Sequence, residues 1–168
     1  GHLVFSTIHT NDAVSAVTRL IDMGVEPFLV SSVLEGVLAQ RLGRRICPHC
    51  RKEIPIPEPL THRLSQSEMA MFNGKCYVGA GCEKCNDSGY KGRIGYFEVL
   101  EINGPMRRAI SQRMGALDIL NEAHETHLRM RTDGLIKAAD GRTTIDEVLR
   151  ATQDAEEELK MSADVKAT

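Results

Sequence analysis

Two short cysteine pairs limit the fold of this chain more than any other feature. Cys47-Pro48-His49-Cys50 and Cys82-Glu83-Lys84-Cys85 are both Cys-x-x-Cys, with residues 51–81 between them. Each pair can present two thiolates on one edge of a tetrahedron, and four thiolates at about 2.3 Å make a closed structural zinc site. Whatever the chain folds into must therefore bring these two loops together. The gap is longer than the common ribbon spacing of about 15–20 residues. The spacer IPIPEP at 54–59 and the Ser/Asn/Gly-rich stretch can form the intervening loop, since closure entropy rises slowly with length. Cys76 reads as a plain thiol outside the set, and His49 as a surface residue inside a knuckle.

Redox chemistry is the rival reading, because Cys-Pro-His-Cys also serves thiol-disulfide exchange. That use needs the pair at a helix N-terminus in a thioredoxin-like setting and an oxidising compartment. Arg44-Arg45-Ile46 precedes the pair and a second matching pair follows, so structural zinc is favoured. Arg44, Arg45, Arg51, Lys52, Lys84, Lys91 and Arg93 crowd the same segment. They suit compensation of the −2 formal charge of a zinc tetrathiolate. Nucleic-acid phosphates are the less favoured partner, since stacking aromatics are few.

The chain has 168 residues, five cysteines and a formal net charge of −2, which gives no whole-chain footprint for nucleic acid or an anionic membrane. Its apolar runs, Leu3 to Ile8 and Phe28 to Val30, fall far short of the roughly 20 residues that cross a bilayer. No export leader is visible, and an odd set of thiols fits a reducing cytoplasm.

Leu3 to Ile8 reads as a strand covered on both faces, followed by polar His9-Thr10-Asn11-Asp12. Ala13, Val14, Ala16, Val17, Leu20 and Ile21 then follow helical spacing up to Gly24. A second, well-buried helix is predicted from Glu26-Pro27 through Leu42, stopping at Gly43. Residues 44–93 form an irregular module, Ile94 to Ile102 a strand, and Asn103-Gly104 a turn. Helices are expected from Pro105 to about Met114 and from Leu117 to about Met130. Thr144-Ile145-Asp146-Glu147 matches a capping box before a last short helix, and 154–168 reads as an acidic mobile tail. His124-Glu125-Thr126-His127 lacks the i, i+4 histidines of a zinc-protease helix and reads as a polar face.

By strand alternation Thr7 and His9 share a face at the carboxyl end of the first strand, where α/β sheets bind ligands. Geometry alone leaves this weak, since polar residues after strands are mostly turn or cap residues. The wording strengthens it. GHLVFSTIHTNDAVSAVTRLIDMGVEPFLVSSVLEGVLAQRL, RRICPHC, GCEKCNDSGYKGRIGYFEVLEI and DGLIKAADGRTTIDEVLRAT closely resemble, in order, segments of the secretion ATPases that power type II secretion and type IV pilus assembly. The resemblance covers about residues 1–153 and places His2 and His9 in that family's His box.

The resemblance implies an α/β fold: the C-terminal portion of a RecA-like P-loop ATPase domain at 1–43, an inserted tetracysteine zinc module at 44–93, a strand plus helical subdomain at 94–153, and the tail. It implies that His9, as a catalytic residue, approaches the γ-phosphate and reports its presence, and that Arg41 lies near the nucleotide or a domain interface; Thr7, on the His9 face of the strand, would then be a nucleotide-binding residue beside it. Cys47, Cys50, Cys82 and Cys85 would hold zinc in a module that contacts neighbouring machinery. The motor would use ATP and Mg2+, assemble as a homo-oligomer, six-fold in the usual case, and work in the cytoplasm. It would dock there on inner-membrane platform proteins, with neither nucleic acid nor direct membrane insertion. The sequence departs from the family in having no Gly-x4-Gly-Lys-Ser/Thr cradle: its Gly74-Lys75 is followed by Cys76, and position 69 is Met. No acidic Walker B strand is present either. We therefore expect the first residues to be a cut edge, and the chain as given to be unable to hydrolyse ATP alone. The alternative is a stand-alone zinc-ribbon adaptor that binds protein or nucleic acid.

Overall fold

Asp12 starts the first helix: its carboxylate accepts the Ser15 N–H at 2.7 Å, and α1 runs Ala13–Asp22 with Ala13, Val14, Ala16 and Val17 buried. The computed structural model describes residues 2–125 and 127–153. The acidic tail expected at 154–168 lies outside them. The described residues divide into two compact units, one drawn from 2–39 and 98–127, the other from 40–97 and 128–153. Helix α2 spans Pro27–Val33, β1 Gly36–Ile46, β2 Arg51–Pro55, α3 Glu58–Thr61, α4 Gln66–Ala70, β3 Lys75–Gly79 and β4 Tyr90–Glu101. Helices α5 (Gly104–Ser111), α6 (Ala116–Asn121) and α7 (Met130–Ala139) follow, then α8 at 145–153. Strand β1 pairs with β4, and β2 pairs antiparallel with β3 in a register that opposes Arg51 to Gly79 and Pro55 to Lys75. No described helix is long and apolar enough to cross a membrane.

In the first unit α1 packs on α6 and α2 on α5, over Val30, Leu100, Ile102, Met106, Ile110 and Ile119. Arg107 of α5 donates to the Ser31 carbonyl at 2.6 Å and to Glu35 at 3.1 Å, which fixes the end of α2. Asn103 caps α5 by accepting the Met106 N–H at 2.9 Å and donates its amide to the Glu122 carbonyl at 2.8 Å, closing α6 as well. Asn103→Ala is expected to cost about 1–2 kcal/mol, a lost cap plus an orphaned carbonyl. Urea unfolding with an unchanged midpoint would contradict this.

The helix expected to reach Leu42 stops at Val33, and Leu34 is already extended. Gly36 and Gly43 explain the change, because each costs a helix about 1 kcal/mol. As strand residues they allow close approach instead: a Cβ on Gly36 would lie 3.2 Å from the Leu100 carbonyl, and one on Gly43 only 2.1 Å from the Tyr96 hydroxyl. Nor is the apolar stripe well buried: Phe28, Val33, Leu38 and Leu42 are exposed. The strand expected at Leu3 to Ile8 is also absent, and residues 2–10 carry no helix or strand, with Phe5 89% exposed. A covered strand needs neighbours for its N–H and C=O groups, and neither described sheet includes this segment. The helix expected from Leu117 to Met130 breaks after Asn121, where His127 turns its Nδ1 to the Val99 carbonyl at 3.1 Å. Helix α7 lies within the subdomain expected to be helical, at a stretch for which the sequence suggests no separate element beyond about Met130.

In the second unit Leu60, Leu64, Phe72, Ile94, Tyr96, Leu135, Ile145, Val148 and Leu149 form the core. Gly134 of α7 lets Val148 and Tyr96 approach, since its Cβ would fall 2.6 Å from the valine. Ser65 and Glu68 form a capping box on α4, and the same Glu68 carboxylate takes the Arg131 guanidinium at 2.6 Å.

Candidate metal centre

The structure brings together the four cysteines named from spacing. Cys47, Cys50 and Cys85 form one buried cluster with Cys82 packed against it, and all four sulfurs lie within 4.8 Å of one another. Cys47 Sγ is 3.9 Å from Cys82 Sγ, Cys50 Sγ 3.8 Å from Cys85 Sγ, and Cys82 Sγ 3.7 Å from Cys85 Sγ. Sulfurs placed 2.3 Å from a common centre at tetrahedral corners stand about 3.8 Å apart, so the set fits a zinc ion. A disulfide needs about 2.05 Å, and all five cysteines are free.

Each knuckle is shaped by its backbone. Cys50 N–H reaches the Cys47 carbonyl at 3.3 Å; Cys85 and Asp87 N–H both reach the Cys82 carbonyl at 3.0 Å. The second loop turns through left-handed Asn86, Asp87 and Gly89, with φ of 50°, 58° and 76°. Two bonds join the knuckles' surroundings: Cys47 N–H to the Gly89 carbonyl and Ala80 N–H to the Cys50 carbonyl, both 2.9 Å. Gly79 and Gly89 approach so closely that a Cβ on Gly79 would fall 1.9 Å from the Gly89 oxygen.

Burial pushes the Cys50 thiol up to about 12, against the pull of the Gly81 N–H. Burial acts the same way on Cys85, but N–H groups of Cys82 and Gly89 outweigh it and bring that thiol down to about 7. One sulfur is thus ready to ionise while its neighbour resists, and a dication is what allows all four to be thiolates. Of the basic residues around the site, Arg44 stacks 4.1 Å over the Tyr90 ring and binds Glu147, and Arg51 lies over Tyr77. Arg45, Lys52, Lys84, Lys91 and Arg93 are exposed.

The other site residues read from the sequence lie elsewhere. His2, Thr7 and His9 are exposed on the 2–10 segment of the first unit, and Arg41 is half-buried on β1 in the second. Cys76 is buried on β3, its thiol raised by burial, and takes no part in the cluster. Sequence reasoning missed Gly79 and Gly89, whose closeness only the hairpin reveals. It also read the Thr144–Glu147 box as a helix cap alone. Thr144 Oγ does accept the Glu147 N–H at 3.2 Å, but the glutamate carboxylate turns away to Arg44.

The sequence matches the model of the Type II/IV secretion system protein family over residues 1–150. The chain belongs to this family. It is 48% identical over 154 residues to the Type IV pilus assembly ATPase PilB of Thermus thermophilus, covering 90% of this chain and 17% of that protein. It is 46% identical over 156 residues to the Type II secretion system protein HxcR of Pseudomonas aeruginosa, covering 92% and 29%. To the Type II secretion system ATPase E of Vibrio cholerae it is 43% identical over 166 residues, covering 92% and 30%. The chain therefore spans less than a third of the length of these family members.

Proposed function

We propose that this chain is part of a motor that couples ATP binding and hydrolysis to type II protein secretion or type IV pilus assembly. The family match over residues 1–150 carries this reading over that of a stand-alone zinc-ribbon adaptor. The proposed motor is RecA-like and works as a homo-oligomeric ring, six-fold by resemblance, in the cytoplasm at inner-membrane platform proteins. ATP and Mg2+ are held largely by parts of the motor outside this sequence. Thr7 and His9 act at the nucleotide, His9 by approaching the γ-phosphate and reporting its presence, and Arg41 lies near the nucleotide or a domain interface. Cys47, Cys50, Cys82 and Cys85 hold a zinc ion whose role is to cross-link two loops; the tetrahedral spacing of the sulfurs supports this.

The test is ATP turnover by a full-length motor containing this chain. His9→Ala is expected to lower kcat at least tenfold with zinc content and ring size unchanged, in the range seen for lost transition-state donors. An unchanged kcat would remove His9 from the reaction. The chain alone is expected to show no turnover, and hydrolysis by the pure zinc-loaded chain, abolished by His9→Ala, would overturn that.

A further inference from the structure

We infer that Thr143, Thr144 and Glu147 are positioning residues of the four-cysteine site, a polar clamp that fixes the chain entering the first knuckle against the chain leaving the second. The inference rests on the reading of that site as a metal centre. The first knuckle is entered through Arg44, Arg45 and Ile46, and the clamp holds this stretch at several points. Glu147 accepts the Arg44 N–H at 2.9 Å and its guanidinium at 2.6 Å; Thr143 Oγ donates to the Arg44 carbonyl at 2.8 Å; Ile46 N–H donates to the Arg142 carbonyl at 3.0 Å. The second knuckle is left through Ser88, Gly89 and Tyr90. Tyr90 shares a hydrogen bond with Thr144 Oγ at 3.1 Å and carries the Arg44 guanidinium on its ring. Further along the same strand, the buried Tyr96 hydroxyl meets Thr143 Oγ at 2.9 Å.

These bonds do more than hold a helix in place. A cap needs only the Thr144 hydroxyl, yet Glu147, with its side chain 3% exposed, spends its carboxylate on the backbone and side chain of Arg44 and on Arg150. A buried carboxylate requires such partners. Here the partner is the residue three positions before the first metal ligand. Metal affinity depends on how far the ligands are already in place before the ion arrives. By joining both flanks, the clamp fixes the separation of the two thiolate pairs.

The experiment follows Co2+ and Zn2+ binding by the full chain: the cobalt-thiolate absorption band, and the zinc release rate to a chromogenic chelator. Wild type is compared with Glu147→Ala, Glu147→Gln, Thr143→Val and, as a control for stability, Leu135→Ala in the core of the same unit. Glu147→Ala and Thr143→Val are expected to speed zinc release at least tenfold and to shift the cobalt band. Glu147→Gln, which keeps an acceptor for the Arg44 N–H, is expected to stay within about threefold of wild type, and Leu135→Ala within about twofold despite a lower melting temperature. Equal release rates for Glu147→Ala and Leu135→Ala, or no change in either, would overturn the clamp. Should Glu147→Ala not fold, Thr143→Val and Glu147→Gln decide by the same rates. A wild-type chain that binds no metal would overturn the metal-centre reading and the clamp with it, whereas loaded wild type with an unaffected clamp variant overturns the clamp alone.

Discussion

Joint replacement of Cys47 and Cys82 by serine is expected to abolish stoichiometric zinc and to unfold the second unit. Folding that depends on a structural zinc draws on about 10–16 kcal/mol of apparent binding free energy at neutral pH, more than the 5–15 kcal/mol total of an ordinary domain leaves to spare. Zinc per chain by atomic absorption, with circular dichroism melting on the same samples, checks both halves. Unchanged zinc content would sink the four-cysteine site. Acid gives an independent reading. The N–H groups of Cys82 and Gly89 bring the Cys85 thiol down to about 7, below the ordinary thiol, so protons compete with the metal for this sulfur once pH falls below about 7. Burial shifts Cys50 the other way, up to about 12, so the ion must displace a proton from this sulfur across the whole neutral range. Zinc displaces the proton from each sulfur, so its apparent affinity is expected to fall steeply as pH drops from about 8 to about 5.

Gly79→Ala is the second change with a large expected effect. Its Cβ would lie 1.9 Å from the Gly89 oxygen and 2.5 Å from the Gly89 carbonyl carbon, all backbone, with no flexible side chain to move aside. The Gly89 carbonyl receives the Cys47 N–H, so displacing it also disturbs the first metal ligand. A cost of about 3 kcal/mol or more is expected, which lowers the melting temperature of a unit this size by more than about 10 °C. Gly74→Ala supplies the comparison, since its φ is +78° but nothing lies within 4 Å of its Cβ. That change is expected to cost only about 1 kcal/mol, for the left-handed backbone. Equal effects of the two substitutions would show that the glycine contact is not the cause.

The four ligands were legible because a metal knuckle is a local device: two thiols three positions apart need no distant partner to be recognised. Helix α1 was legible for the same reason, through the polar stretch before it and the spacing of Ala13, Val14, Ala16 and Val17. Residues 34–43 were misread because their apolar positions satisfy helical and extended spacing equally. What decides is whether a partner strand lies beside Gly36 and Gly43, and β4 begins some fifty residues later. Residues 2–10 show the converse, an apolar run whose pattern asks for strands that the described sheets do not supply. The role of Glu147 was hidden by its place in a capping-box pattern, since nothing in Thr-x-x-Glu reveals that the carboxylate will bind Arg44 instead.

The second unit is assembled from 40–97 and 128–153, with the first unit's 98–127 between them in the chain. During synthesis from the N-terminus, all four sulfurs leave the ribosome well before Thr143, Thr144 and Glu147 do. On the clamp reading the nascent chain is expected to capture its ion while the frame around it is still unfinished, and the later segment at 143–147 to tighten a site already loaded. Termination before residue 143 is expected to leave a polypeptide that takes up metal and releases it faster than the full chain does.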